Sequence, residues 1–361
     1  MPRPKNTPNA AQMLRVARMF YEDDKSKQDI AEKEKIDSRK VKWLLEQAKE
    51  LDLVRITFRG TTESDLEHRI IRNYPHMLRV LILPLHGPVE TNTQYGELLQ
   101  RFALATADHF KELLEKKTSD EPLHIGISGG ETLYEFVKAV PEQARKNLHL
   151  HATTVVPHGQ LAMSASHIDP STNATVLWTK SGGLPGHCHY ATITPFDTEK
   201  RGVEARKFIR ERLIEFDRNS RIRAVIRGMH NLDVVFAGIG TLTPPPKCDP
   251  VMKNRLTIMS LLEPMITMKD LVAEKAVGDV SYCLIDADGN TRDEWRFFPR
   301  VGDYSDFQGV DYYRNMIAKK KPVIAMAGPY KLQPIKAALR GKLINTLITD
   351  EETARQLAEG N

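Results

Sequence analysis

Residues 123–140 read LHIGISGGETLYEFVKAV, and this stretch decides the fold. Leu123–Ile127 is an apolar run of strand length. It passes through Ser128-Gly129-Gly130-Glu131-Thr132 into an amphipathic helix. A glycine pair between strand and helix lets backbone N–H groups approach an anion, and the helix N-terminus adds partial positive charge. Glu131 works against a plain phosphate cradle. A carboxylate beside a phosphate is unfavourable unless it turns away or binds a hydroxyl.

Outward from this unit the same alternation continues. The spacing predicts strands at RVLILPL and at Leu150–Val156, His189–Ile193, Val234–Ile239, Val280–Ile285, Val323–Ala327 and Ile344–Ile348, with helices between most of them. Several are continuous apolar runs, as expected when helices cover both faces of a parallel sheet. A long helix, roughly Thr93 to Lys116, buries Leu99, Phe102 and Phe110, with Thr106 the polar residue on that stripe. The expected class is α/β, a doubly wound, mostly parallel sheet. In such sheets the loops at the carboxyl ends of strands converge on one crevice. Ser128, Gly129, Gly130 and Thr132 would then meet His158 and Gln160 of VVPHGQL, Gly240 of FAGIGTLTPPP and Lys331 of MAGPYKLQPIKAAL. Asp279 of VGDVSYCLIDADGN, at a strand start, would enter from the edge, and Lys331 would supply countercharge for an anionic ligand.

The first sixty residues differ. They hold 14 Lys and Arg against 10 Asp and Glu, whereas the remaining 301 hold 38 against 37. A basic head on a nearly neutral body suits a polyanionic partner. Met13, Val16, Ala17 and Phe20 open a first helix. Ser26 caps a short helix from Lys27 to Lys33, and Asp37 or Ser38 caps a longer one reaching about Leu51. Val41, Leu44, Leu45 and Ala48 face inward, which leaves Ser38, Arg39, Lys40, Lys42 and Trp43 outside. That is a helix-turn-helix, whose second helix reads the DNA major groove. Arg39 is the first choice for a guanine contact; Lys40 and Lys42 serve equally as phosphate anchors. A solvated helical bundle, with Trp43 a packing residue, fits the same spacing. The turn Glu34-Lys35-Ile36 lacks the glycine common in this motif, so either Lys35 takes an awkward conformation or the turn is of another type. LVRITF at 53–58 alternates like one arm of a wing, and Gly60-Thr61-Thr62 marks a boundary.

Composition is that of a globular chain, with 41% hydrophobic and 27% charged residues in 361, which excludes disordered and collagen-like classes. Three scattered cysteines without a CxxC pair suit a reduced, cytoplasmic protein. No apolar run reaches membrane-spanning length, and MPRPKNTPNA lacks a signal-peptide core.

The C-terminal stretch GPYKLQPIKAALRGKLINTLITDEETARQL, the GISGGETLYE loop, the GIG turn and AVGDVSYCLIDADGN occur here in the order seen in SorC-type sugar-responsive transcriptional regulators, which this chain resembles from about Met13 to Leu357. The head QDIAEKEKIDSRKVKWLLEQAKELDLVRI is similar to their helix-turn-helix. The resemblance implies a DNA-binding head over 1–60. It implies an effector-binding and oligomerisation body over 61–361, on the fold of sugar-phosphate isomerases and CoA-transferase-like proteins. It implies double-stranded operator DNA and a small sugar or sugar-phosphate as partners, a homodimer or homotetramer, and no catalysis; no cofactor, metal or membrane partner is expected. The effector loop carries over to Ser128, Gly129, Gly130, Glu131 and Thr132, the acidic contact to Asp279 and the lysine to Lys331. Many members have arginine or threonine where Glu131 stands. The helix around Leu66–Tyr74 would link the two parts.

An enzyme is the rival reading: a sugar-phosphate isomerase or hydrolase with Asp279 or Glu131 as general base and Lys331 as phosphate clamp. RNA binding by the head is a third. His149, His151, His158, His167, His187 and His189 cluster loosely, with His149 and His151 on one strand face, yet no HExxH or Cys/His ladder completes a metal site.

Overall fold

A computed structural model describes residues 10–23, 25–50, 53–54, 61–85, 87–117, 121–141, 148–156, 168–180, 187–191, 199–243, 265–303 and 308–360. The chain forms two compact units, Met1–Thr61 and Thr62–Asn361.

The head unit has three helices, α1 (Ala10–Tyr21), α2 (Lys27–Glu34) and α3 (Ser38–Glu50). Met13, Val16, Ile30, Val41 and Leu44 close its core. Ser26 caps α2 in a reciprocal capping box with Asp29, which satisfies two otherwise orphaned N–H groups. Asp37 caps α3, its Oδ1 accepting from Lys40 N at 2.8 Å. Arg15 grips Glu34 through two hydrogen bonds of 2.7 and 2.8 Å, and this guanidinium holds the Glu34 carboxyl below its usual range. Lys35 takes the left-handed conformation, φ 54° and ψ 46°, and its N–H returns to the carbonyls of Ala31 and Glu32. The turn is therefore the glycine type, built with a lysine. Because glycine adopts this conformation without a Cβ penalty, Lys35→Gly is expected to stabilise the head by about 1 kcal/mol; a lower melting temperature for the variant would contradict this. Leu53 and Val54 pack on the head core, and the rest of the expected wing arm lies outside the described residues.

The body begins with α4 (Thr61–Asn73), followed by β1 (Arg79–Leu83), α5 (Asn92–Lys116), β2 (Leu123–Ile127), α6 (Glu131–Ala139), β3 (Leu148–Ala152), α7 (Pro170–Lys180) and β4 (His187–His189). Next come α8 (Gly202–Arg218), α9 (Ser220–Gly228), β5 (Val234–Ala237), β6 (Ile239–Thr241), α10 (Met268–Ala273), β7 (Gly278–Val280) and β8 (Cys283–Ile285). The chain ends through α11 (Val310–Ala318), β9 (Val323–Met326), α12 (Leu332–Arg340), β10 (Thr346–Asp350) and α13 (Glu351–Ala358). Seven strands form one sheet in the order β1-β10-β9-β5-β2-β3-β4, every recorded pairing parallel. Successive residues of its central strands feed two separate cores. Val323 and Ala325 of β9 join one, Ile324 and Met326 the other. This explains the unbroken apolar runs: both sheet faces are covered. The expected α/β, mostly parallel fold is the one observed.

Several strand expectations need correction, and the strand expected at Ile344–Ile348 runs instead from Thr346 to Asp350. Val280–Ile285 is a hairpin, not one strand: β7 and β8 pair antiparallel and form with β6 a separate three-stranded sheet. Val234–Ile239 breaks at Gly238, so β6 leaves the main sheet for this small one. The third and fourth strands start two residues earlier than expected and stop short. Period alone locates an apolar run but not the hydrogen-bonded part of it. The helix expected to link the two parts has Leu66 and Ile70 in the body core. Its Asn73 side chain donates to the carbonyls of Leu357 and Ala358 at 3.3 and 3.2 Å, satisfying the open end of α13.

Candidate functional site

The candidate site is built around the end of β2. Ser128 N donates to Phe236 O at 3.0 Å, which holds the loop against β5. Gly130, with φ 103°, starts α6 without a side-chain cap. Asn173 of α7 reaches across and donates to the carbonyls of Ser128 and Gly130 at 2.9 and 3.4 Å. Asp169 fixes the start of α7 by accepting from Thr172 N at 2.9 Å. Gly129 admits no side chain, because a Cβ there would strike the Tyr282 hydroxyl and the Ile168 carbonyl. The glycine pair thus serves a close approach of backbone to the tyrosine as well as a tight turn.

Tyr282 comes from the β7–β8 hairpin. Its two turn residues, Ser281 and Tyr282, have φ of 50° and 66°. Two successive positive φ values make the primed turn that suits the twist of a hairpin and normally asks for Asn-Gly. Ser-Tyr in this place stores local strain. Three contacts hold it: Tyr282 N donates to Asp279 Oδ2 at 2.9 Å, Ser281 N to Gly238 O at 2.9 Å, and Thr154 Oγ1 to Ser281 O at 3.0 Å.

Asp279 sits in the middle of β7 opposite Gly240, fully buried. The expectation of an acid at a strand start, entering from the edge, is corrected accordingly. One carboxylate oxygen serves the turn; the other, Oδ1, has no hydrogen-bond partner among the described residues, and neither has the buried Ser128 hydroxyl. Lys331, at the N-cap of α12, is buried and donates to Ile239 O at 2.7 Å. Burial pushes the Asp279 carboxyl up to about 7 and the Lys331 amine down to about 8, opposed by the charges of Asp279 and Glu131. Beside Lys331, Tyr330 adopts φ 72° and its hydroxyl donates to Val89 O.

The structure therefore groups Ser128, Gly129, Gly130, Glu131, Thr132, Gly240, Asp279 and Lys331 around one region, while His158 and Gln160 lie outside the described residues. Asn173, Asp169, Ser281 and Tyr282 were not anticipated. For Asp169 and Asn173 the signal was present: Asp-Pro-Ser-Thr-Asn is a helix start with proline at its first position. In the head, Ser38, Arg39, Lys40, Lys42 and Trp43 are all exposed along α3, with Lys42 3.8 Å from Glu46. Among the described residues no group of three His, Cys, Asp or Glu is placed to hold a metal ion, and no helix is long and apolar enough to cross a membrane.

A family model described as a sugar-binding domain matches residues 208–359. The chain is 24% identical over 345 residues to the deoxyribonucleoside regulator of Bacillus subtilis (strain 168), across 95% of this chain and 96% of that protein. The crystal structure of the full-length sorbitol operon regulator SorC from Klebsiella pneumoniae matches with a TM-score of 0.70 at 20% identity, covering 98% of this chain and all (100%) of the other. A DeoR family transcriptional regulator from Listeria monocytogenes matches with a TM-score of 0.56 at 17% identity, covering 82% and 100%. These proteins are named as regulators, not as enzymes. The chain shares the fold of the full-length sorbitol operon regulator SorC, and its residues 208–359 match a sugar-binding domain family.

Proposed function

We propose that the chain is a DNA-binding transcriptional regulator whose operator affinity is set by a small sugar, polyol or sugar-phosphate bound at the crevice above. The observation that carries this reading is the buried Asp279 Oδ1, which has no hydrogen-bond partner among the described residues and lies within electrostatic reach of Lys331. A buried acceptor costs free energy until something donates to it, and a ligand hydroxyl does so. Asp279 and Glu131 place two carboxylates near the same amine, so this end of the crevice favours a hydroxyl over a phosphoryl group. The head grips duplex DNA with α3 in the major groove, Arg39 reading a base and Lys40 and Lys42 on phosphates. The body assembles a homodimer or homotetramer that sets half-site spacing. The effector shifts operator affinity only by its differential affinity for the two states, about 1–3 kcal/mol of coupling.

The test is a thermal-shift screen of sugars, polyols and their phosphates, followed by operator binding with and without the hit. Binding to the native state alone raises the melting temperature. DNA affinity should fall about 10³- to 10⁵-fold from ~50 to ~200 mM salt if six to ten phosphates are contacted. Turnover of a sugar phosphate that disappears in Asp279→Asn would favour the enzyme reading instead.

A further inference from the structure

Five histidines share one face at one edge of the seven-stranded sheet. In the parallel register His124 of β2 stands beside His149 of β3, His149 beside His187 of β4, and His151 beside His189. Residues two apart on a strand point to the same face. The rings are in contact. Centroids lie 4.8 Å apart for His124 and His149, 4.7 Å for His149 and His187, and 4.7 Å for His151 and His189, the last pair stacked at 12°. His124 Nδ1 is 3.1 Å from His151 Nε2. One of these nitrogens must carry the hydrogen and the other must be bare. Doubly protonated rings would turn the contact into donor against donor.

This ladder spans an edge junction of the sheet. β4 is three residues long, outermost in the strand order, and paired to β3. On the opposite face Leu150 and Cys188 pack with α7 residues, and Lys180 is the one charged residue of that helix. Around the ladder itself the described neighbours carry little countercharge. Gly228, at the end of α9, lies against the His151 ring, and Arg227 and His230 beside it are exposed. Asp233 accepts from the His124 backbone N–H and is paired with Lys321 at 3.3 Å. The groups that shift His149, His151 and His189 are the other rings and burial, with no carboxylate among them.

We propose that the imidazole ladder is a proton-responsive fastening for this edge: neutral, it holds β4 to β3, and proton uptake as the pH falls below about 6.5 opens it. The sign follows from linkage. Burial and the neighbouring rings lower the proton affinity of the closed edge, His151 to about 3, whereas rings freed into water regain the ordinary value. The fastening is complete above about 6.5, the value of the freed rings, and is lost progressively as the pH falls from there toward the lowered values of the closed edge.

Amide hydrogen exchange of residues 148–152 and 187–191, corrected for intrinsic rates and followed from pH 7.5 to 5, tests this. Opening should rise more than tenfold per pH unit below 6.5, because more than one proton enters per event, while β9 and β10 stay protected. The double variant His187→Gln with His189→Gln should make the slope shallower than in the parent, because fewer rings take up a proton on opening. If that variant does not fold, His189→Gln alone, at a ring whose proton affinity the closed edge lowers, should still lower it. A pH-independent opening, or a slope unchanged by these substitutions, overturns the proposal.

Discussion

Lys331→Met is expected to abolish the effector response while operator binding persists. The amine is buried and hydrogen-bonded to Ile239 O at 2.7 Å, and its charge acts on Asp279, whose free oxygen faces the same region. Methionine keeps the length of the side chain but removes the donor and the charge. Removing one member of a buried ion pair often costs several kcal/mol, because the remaining charge is stranded. Asp279 can escape that cost by keeping a proton, since burial already holds its carboxyl at about 7, and loss of Lys331 raises it further. A carboxyl raised above its unfolded value favours the folded state less and less as the pH climbs from about 4 to the folded value, at roughly 1.4 kcal/mol per unit. Relative to the parent, the variant should therefore lose little stability near pH 6 and progressively more toward pH 8.5. Urea unfolding across this range measures it. A stability deficit that is constant with pH, or an intact effector response, would contradict the pairing.

Arg39→Ala should cut operator preference by roughly 5- to 150-fold, the equivalent of a lost guanine contact of about 1–3 kcal/mol. Arg39 lies exposed in the first turn of α3, away from the head core formed by Val41, Leu44 and their partners. The folded head and the ligand-induced thermal shift of the body should both survive. Lys40→Ala, by contrast, should weaken binding to specific and random duplexes alike and reduce the salt slope by about one. Competition of operator against random duplex separates the two. Unchanged preference in Arg39→Ala would remove α3 from the base-reading role.

Much of this was legible from local chemistry. Ser26 and Asp37 announce helix starts because their side chains can satisfy N–H groups a few residues away, and the structure uses both this way. Lys35 is instructive in the other direction. The missing glycine suggested strain in the turn, and the left-handed φ of 54° confirms it. The apolar runs of β5 and β9 announced burial on both faces, which is where the two cores lie.

What the sequence determined alone is whatever depends on near neighbours: the caps, the helix faces, the strand–Gly-Gly–helix unit and the split between a basic head and a neutral body. Tertiary structure decided the rest, because it concerns residues far apart in the chain. The turn at Ser281 and Tyr282 exists only with Gly238 O, Thr154 Oγ1 and Asp279 Oδ2 in place. The roles of Asn173 and Gly129 emerge only once α7 and the hairpin close over the loop. His124 joins four other imidazoles solely through strand register, and register is set by which faces are buried, a property no single segment carries.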